Sequence, residues 1–383
     1  MIIKSVSLEN FRNHGKNFFT FSPDLSIVIG PNTSGKTNLL ESIYFLALGK
    51  SFRAGKDIET ISFNSELARI SGIIKQLSDN LINKSDEEII ELEAVLTKGE
   101  IAGIKVPYKK YLVNKIAKRH VDFSSRLKVV LFWPQDLQLV TDSPSLRRKY
   151  LDYVLMQTDR EYRRTLLSFE RGMRQRNRLL EAIRDKGVPK QQLMFWDQLL
   201  IKAGEYITKK REEYIDFINK AENPNSNPPV GGQLSNYKFP NYQLFYDKSV
   251  ISRQRLDQYN MQEIAAGVTL VGPHRDDMIF KIKNQNEKNK INEENLHDLS
   301  NFGSRGEQRL AILWLKLGEL SYIEKSTRDK PVLLLDDILS ELDHSHRAII
   351  FDIISKQQTI MTTTDKHFIP EKYFKQAKVI ELQ

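Results

Sequence analysis

Apolar and polar residues alternate over residues 2–8 and 18–21, the two-residue period of half-buried strands. The mostly apolar stretch 26–29 reads as a buried strand. From Lys36 to about Leu48 the period lengthens, and Leu39, Leu40, Ile43 and Leu46 fall at helical spacing. Residues 68–74 and 89–96 return to strand character, with a polar surface connection expected over 78–88. Near Phe132 the pattern changes. Residues 145–184 and 191–219 are long, charged and helical. The Asn-, Pro- and Gly-rich stretch 222–240 reads as a linker or loop. Strand character resumes over 268–271 and 277–282, followed by a polar insertion, 285–294. A helix over 305–323 and strands over 332–335 and 359–362 complete the pattern.

Strands and helices alternate at both ends, and a helical stretch lies between them. This order predicts an α/β fold, a mixed sheet with flanking helices, interrupted by an inserted helical lobe. The expected division is 1–130, 131–245 and 246–383, with the first and last parts forming one head. There is no internal repeat and no long heptad array.

Composition narrows the function classes. The chain has 383 residues, enough for two or three domains. Lys and Arg exceed Asp and Glu by 58 to 49, a net charge of +9, which fits a polyanionic partner. Cysteine is absent, so disulfides, thiol catalysis and cysteine-ligated metals are excluded. The N-terminus alternates like a strand and lacks the long apolar run of a signal peptide. No apolar run is long enough to span a bilayer, and the expectation is a soluble, cytoplasmic protein without a membrane partner.

The chemistry lies almost at opposite ends. Gly30-Pro31-Asn32-Thr33-Ser34-Gly35-Lys36-Thr37 joins the 26–29 strand to the following helix and has the spacing of a phosphate-cradling loop. Its glycines let backbone N–H groups turn inward, and the helix points its positive end at the phosphates. Lys36 is expected to reach the β and γ phosphates, and the Thr37 hydroxyl to ligate Mg²⁺. Val332-Leu333-Leu334-Leu335-Asp336-Asp337 is an apolar strand ending in two carboxylates. Asp336 is expected to hold Mg²⁺, and Asp337 to orient the attacking water. Together the two segments predict binding of ATP with Mg²⁺.

Ser304-Arg305-Gly306-Glu307-Gln308 resembles the signature segment of ABC-type ATPases, which binds the γ-phosphate held by a second subunit. Arg305 and Glu307 depart from its usual glycines. Ser340-Glu341-Leu342-Asp343 resembles the dimer-contacting D-loop of the same superfamily. The order of loop, signature, acidic strand and D-loop implies an ABC-type ATPase head in which ATP is sandwiched between two copies.

Further segments carry a closer resemblance. Leu8-Glu9-Asn10-Phe11-Arg12-Asn13-His14 resembles the opening of RecF proteins and their SMC-like relatives. Gly35-Lys36-Thr37-Asn38-Leu39-Leu40-Glu41-Ser42-Ile43, Leu48-Gly49-Lys50-Ser51-Phe52-Arg53 and Pro134-Gln135-Asp136-Leu137-Gln138-Leu139-Val140 resemble RecF segments. So do Arg147-Arg148-Lys149-Tyr150-Leu151-Asp152 and Val271-Gly272-Pro273-His274-Arg275-Asp276-Asp277. The resemblance implies a globular ATPase head with a helical lobe and no long coiled coil. It adds Arg12 and Asn38 to the nucleotide set. It also implies an ATP-dependent homodimer that binds gapped DNA at single-strand/duplex junctions. RecR and RecO would be its partners, and RecA would be loaded where single-strand binding protein covers a gap. An ABC-type ATPase of a defence system or a transporter is the alternative.

Two departures bear on mechanism. Gln135 stands where relatives often have glutamate, and resembles the glutamine that senses Mg²⁺ and γ-phosphate in ABC-type ATPases. Thr362-Thr363-Thr364-Asp365 occupies the region of the histidine of transport ATPases, and Asp337 is shorter than their glutamate. Both imply slow hydrolysis suited to a switch.

For DNA, Arg147, Arg148, Arg163, Arg164, Arg171, Arg174 and Arg178 are the expected contacts. Several recur near helical spacing and could form one row meeting phosphates bidentately. The role of His274-Arg275-Asp276-Asp277 is open between a buried polar network and a contact site.

Overall fold

The structure is a computed structural model; it describes residues 1–77, 87–220, 239–240, 242–283 and 296–383. The expected polar segments 78–88, 222–240 and 285–294 lie almost wholly outside the described residues. The chain forms two compact units, one of residues 1–136 and 319–383, the other of residues 137–318.

The first unit is built on two sheets. Five parallel strands run in the order Val129–Phe132, Val332–Asp336, Thr359–Thr363, Leu25–Ile29, Lys378–Glu381. Six antiparallel strands run in the order His14–Thr20, Ile2–Phe11, Leu67–Leu77, Glu87–Thr97, Lys109–Val113, Ile116–Lys118. Helix Lys36–Leu48 packs against strands of both sheets. A helix covered on two sides must be apolar nearly all round, and Leu39, Leu40, Ile43, Phe45, Leu46 and Leu48 are fully buried. The Gln358 side chain also ties the sheets. It accepts from Ile3 N at 2.7 Å and donates to the carbonyls of Ile3 and Ser22, both at 2.8 Å.

The second unit packs helices Pro144–Thr158, Arg160–Lys186, Met194–Lys220 and Arg253–Ala266 with a three-stranded antiparallel sheet, Tyr242–Asp247, Asp277–Lys283, Leu296–Asp298. The expected boundary at 245/246 is therefore misplaced. Strand Tyr242–Asp247 crosses it and pairs with Asp277–Lys283. Asn219, on helix Met194–Lys220, clamps Leu244 through both its backbone groups, at 2.8 and 2.9 Å. Residues 246–318 thus belong with the helices, and the head's C-terminal part begins at Glu319.

Two local expectations are corrected. The helix expected over 145–184 is two helices. Asp159 stops the first and caps the second, its carboxylate accepting from Glu161 N and Tyr162 N. Residues 268–271 form no strand. Thr269 is irregular backbone held by Asn177, whose side chain accepts its N–H at 2.9 Å.

Candidate nucleotide site and the arginine helix

Parallel strands end on one edge of their sheet, and this brings together residues some three hundred apart. Asp336 pairs in register with Thr362, and Thr362 with Val28, just before the Gly30 loop. Gly35 turns the loop into the helix at φ +100; a Cβ there would meet Asn13 and His14 side-chain atoms at 2.6–2.9 Å. The cavity left between loop and acidic strand is about 390 Å³ and is lined by Asn13, Lys36, Thr37, Arg53, Asp336 and Asp337 among others.

Inside it the charges are already organised. The Lys36 ammonium donates to the carbonyls of Gly30 (2.7 Å) and Pro31 (2.8 Å). Burial lowers its pKa, opposed by Asp337 and Asp336. The Thr37 hydroxyl lies 2.9 Å from both Asp336 oxygens, and Thr362 donates to one of them at 2.8 Å. Burial raises the Asp336 pKa; the Thr362 and Thr37 hydroxyls and the Arg53 and Lys36 charges hold it down. Asp337 adopts φ +50, a strained conformation for a side-chain-bearing residue, and its N–H donates to the Thr362 carbonyl and hydroxyl. The Ser340 hydroxyl donates to Asp337 O at 2.7 Å, which joins the D-loop-like segment to the acidic pair.

A second layer supports the cavity. Glu41 is a fully buried carboxylate on the loop's helix. Arg12 grips it bidentately at 2.7 and 2.9 Å, Arg53 meets it at 3.1 Å, and the Ser51 hydroxyl donates to it. One carboxylate between two guanidiniums leaves a positive excess, and Arg53 carries it into the cavity wall. A chain of side chains runs from Arg53 to Asn38, from Asn38 to Asn13 at 2.6 Å, and from Asn13 to the Thr33 carbonyl at 3.0 Å. Arg12 therefore acts on the cavity through Glu41 and does not itself line it.

Asn32, Thr33 and Asn38 complete the loop side, and Thr364, just past strand Thr359–Thr363, lines the other. Gln135 is exposed in a short turn after strand Val129–Phe132 and is not among the lining residues. Ser304 and Gly306 are in the second unit, both exposed. Ser304 and Glu307 form a reciprocal cap at the start of helix Arg305–Thr327. Ser304 N and Oγ reach the Glu307 carboxylate at 2.8 and 2.9 Å, and Glu307 N reaches Ser304 Oγ at 3.3 Å. Glu307 thus stands in place of a signature glycine as a capping partner, and the Ser-x-x-Glu spacing already carried that signal.

The arginine row divides when placed on its helices. Arg147 is buried, paired bidentately with Asp277 at 2.7 and 3.0 Å and donating to the Leu139 and Asp142 carbonyls. Arg163 is buried and donates to the Met156 carbonyl. Arg148 is half-buried and donates to the Asp276 carbonyl at 2.7 Å. These guanidiniums hold the unit together, which corrects the expectation that Arg147 and Arg163 face DNA. Arg164, Arg171, Arg174 and Arg178 are exposed. The neighbouring Arg176 is fully buried between Asp197 (2.8 Å) and Glu263 (2.7 Å).

In the His274–Asp277 segment Arg275 is exposed, while Asp276 centres a buried network. Asp276 is fully buried, meets Arg211 at 3.0 Å and accepts from Ser249 N at 2.7 Å. Arg211 also meets Asp152 at 2.8 Å. Burial pushes the His274 pKa down to about 4, so its ring is neutral near pH 7 beside the Thr269 carbonyl.

The family model for the RecF/RecN/SMC N terminal domain matches residues 2–380. The DNA replication and repair protein RecF of Herpetosiphon aurantiacus is 34% identical over 377 residues, 95% of this chain and 94% of that protein. The chain belongs to the RecF family. RecF of Lachnoclostridium phytofermentans is 35% identical over 95% of this chain and 93% of that protein. A solved structure of the recombination mediator protein RecF with ATP, in the RecFOR pathway, matches with a TM-score of 0.80 and 28% identity. That match covers 96% of this chain and 93% of the other. The fold is accordingly the ABC-type ATPase head of RecF, without a long coiled coil. Whole-length similarity to RecF leaves the transporter and defence-system alternatives without support. Among the described residues, no helix is long and apolar enough to cross a membrane.

Five side chains that shape the site were absent from the expected set: Asn13, Glu41, Arg53, Thr362 and Thr364. Of these, Glu41 carried a signal in its own chemistry. A carboxylate inside Leu39-Leu40-Glu41-Ser42-Ile43-Tyr44-Phe45-Leu46 must be buried and therefore paired.

Proposed function

We propose that the protein is an ATP-gated DNA-binding switch of recombinational gap repair. The observation that carries this reading is the convergence of Lys36, Thr37, Asp336, Asp337 and Arg53 on one cavity at the end of a parallel sheet. The donor set fits a magnesium triphosphate: an ammonium, a guanidinium, inward N–H groups at a helix N-terminus, and hydroxyl and carboxylate oxygens for a hard cation. The Ser34 hydroxyl, buried without a partner in that loop, is a further donor that the protein leaves unused. Thr37 and Asp336 would hold Mg²⁺, which neutralises phosphate charge when bound.

Lys36 exchanges its carbonyl partners for phosphate oxygens, and Asp337 orients the attacking water. Ser304 and Gly306 of a second copy complete the site, so that nucleotide favours a homodimer. The differential affinity of ATP for the paired state supplies the switch. A short Asp337, and threonines where transport ATPases carry histidine, support slow turnover. DNA meets the exposed Arg164, Arg171, Arg174 and Arg178, which contact phosphates and not bases. The solved RecF structure's description as a recombination mediator protein in the RecFOR pathway supports a mediator role; partnership with RecR and RecO, and loading of RecA at gaps covered by single-strand binding protein, belong to the same proposal.

The test is binding to gapped DNA against blunt duplex, with and without ATP, for the native protein, Lys36→Met and Ser304→Arg. The expected result is ATP-stimulated, junction-preferring binding that both substitutions abolish. Binding indifferent to ATP and to both substitutions overturns the mediator reading.

A further inference from the structure

Helices Arg160–Lys186 and Met194–Lys220 lie side by side, joined through a short turn. Two contacts fix their antiparallel register: Arg176 with Asp197 at 2.8 Å, and Tyr162 with Arg211 at 3.3 Å. In that register Arg164, Arg171 and Arg178 come level with Lys209, Lys202 and Phe195. Each set recurs every seven residues, about 10 Å along a helix. Arg164, Lys202 and Lys209 line one open groove between the helices, floored by Leu199 and Ala203. Arg171, Arg178 and Phe195 extend the two lines toward the turn. All five cations are exposed.

Two features set this face apart from an ordinary solvated surface. Among the described residues, Arg171, Arg178, Lys202 and Lys209 make no ion pair. Of the two carboxylates in the groove, Glu161 is taken up by Arg164 at 3.3 Å, leaving Glu205 against the remaining cations. The last rung then replaces a cation with an aromatic ring. Phe195 is 64% exposed and its neighbour Met194 52%. The Trp196 ring meets Phe195 edge-on, with centroids 4.9 Å apart at 82°, which orients the phenyl without covering it.

A two-column cationic track matches the phosphates of a strand, and an exposed, pre-oriented ring at its end offers a stacking platform for a base freed from pairing. We propose that the face bounded by Arg164, Arg171, Arg178, Lys202 and Lys209 carries a DNA backbone and that Phe195 stacks on its first unpaired base. The ring thereby discriminates a junction from continuous duplex. This rests on the DNA-binding reading above and names the part of it that sets substrate preference. Arg174, exposed between Arg171 and Arg178, borders the same track.

The experiment measures, with the full chain and ATP, the affinity for a gapped duplex and for a blunt duplex of equal length across a salt series. A 2-aminopurine at the first unpaired position reports stacking. Lys202→Glu combined with Lys209→Glu is expected to weaken both DNAs at least tenfold and to flatten the salt slope by about two. Phe195→Ala is expected to weaken the gapped DNA five- to tenfold, leave the blunt duplex unchanged and restore 2-aminopurine fluorescence; Phe195→Trp keeps the preference. Equal effects of Phe195→Ala on both DNAs, or none on either, overturn the stacking role. If Arg171→Glu weakens binding while the double lysine variant does not, the two-column track fails but DNA binding by the lobe stands. If neither weakens binding, the DNA-binding reading of this lobe fails with it.

Discussion

The phosphate cavity and the arginine helix are both dense in charge, yet they organise it in opposite ways. In the cavity, Lys36, Arg53 and Asp336 come from three separate segments and converge on one volume. On helix Arg160–Lys186 the arginines are neighbours in sequence and diverge: Arg163 and Arg176 point into the unit, Arg164 and Arg171 out of it. Convergence from distant segments builds a ligand site, because it sets cations and carboxylates around one open volume. Clustering along one helix mixes two roles, since a step of one residue turns a side chain by about 100°. A buried guanidinium must be paired, so the inward arginines are structural whatever the outward ones bind.

The sharpest way to break this contrast is to remove a partner of an inward arginine. Asp276→Ala takes one of the two carboxylates from the Arg211 guanidinium, leaving it Asp152, and leaves Ser249 N without its acceptor. Breaking a buried pair from one side costs about 3–5 kcal/mol, and the retained Asp152 holds the loss to the lower end of that range. Urea unfolding is expected to show that loss, and a change under about 1 kcal/mol would put Arg211 among ordinary surface cations.

Asp336→Asn tests the converse, that the cavity is built for a ligand at the expense of the free protein. Removing a charge that bonds the bound ion should weaken magnesium-dependent ATP binding by ten- to a hundredfold, about 1.5–3 kcal/mol. The free protein should be as stable or slightly more so. The sign follows from burial, which raises the Asp336 pKa in the folded state above its unfolded value. Ionisation is then easier in the unfolded chain, so this carboxyl lowers stability as pH rises from the unfolded to the folded pKa. Asparagine removes that slope. Thermal unfolding without nucleotide, followed from pH 4 to 7, would refute the idea if the variant melted lower than the native protein at neutral pH.

The same contrast explains what could be read from the sequence. The loop, the acidic strand and the signature are local codes whose spacing is set by backbone geometry, so Lys36, Thr37 and Asp336 were legible from motif alone. Arg53 and Thr362 were not. Arg53 matters because the chain after helix Lys36–Leu48 turns back on Glu41 and Asn38, and Thr362 because its strand lies between those of Val28 and Asp336. For the arginines, periodicity grouped the residues but could not say which side of the helix faced inward. The break at Asp159, which resets the helical phase just before Arg163, was hidden inside a continuous charged pattern. The misplaced boundary at 245/246 has the same origin, since strand Tyr242–Asp247 finds its partner beyond the helix Arg253–Ala266.

The smallest effect is the most discriminating. Arg163 and Arg164 are adjacent, one buried and donating to the Met156 carbonyl, the other exposed beside Glu161. Arg163→Ala removes a charge-assisted bond inside the unit and should cost about 1.5–3 kcal/mol of stability. Arg164→Ala removes an exposed i,i+3 pair and should change stability by less than about 0.5 kcal/mol. DNA affinity should respond the other way round. At a salt concentration where both proteins are fully folded, Arg164→Ala lowers affinity and reduces the salt slope by about one, and Arg163→Ala leaves the slope intact. Equal slopes for the two variants would mean that exposure does not select the DNA-facing arginines. The outward row would then be a solvated face, and the division between inward and outward side chains would concern stability alone.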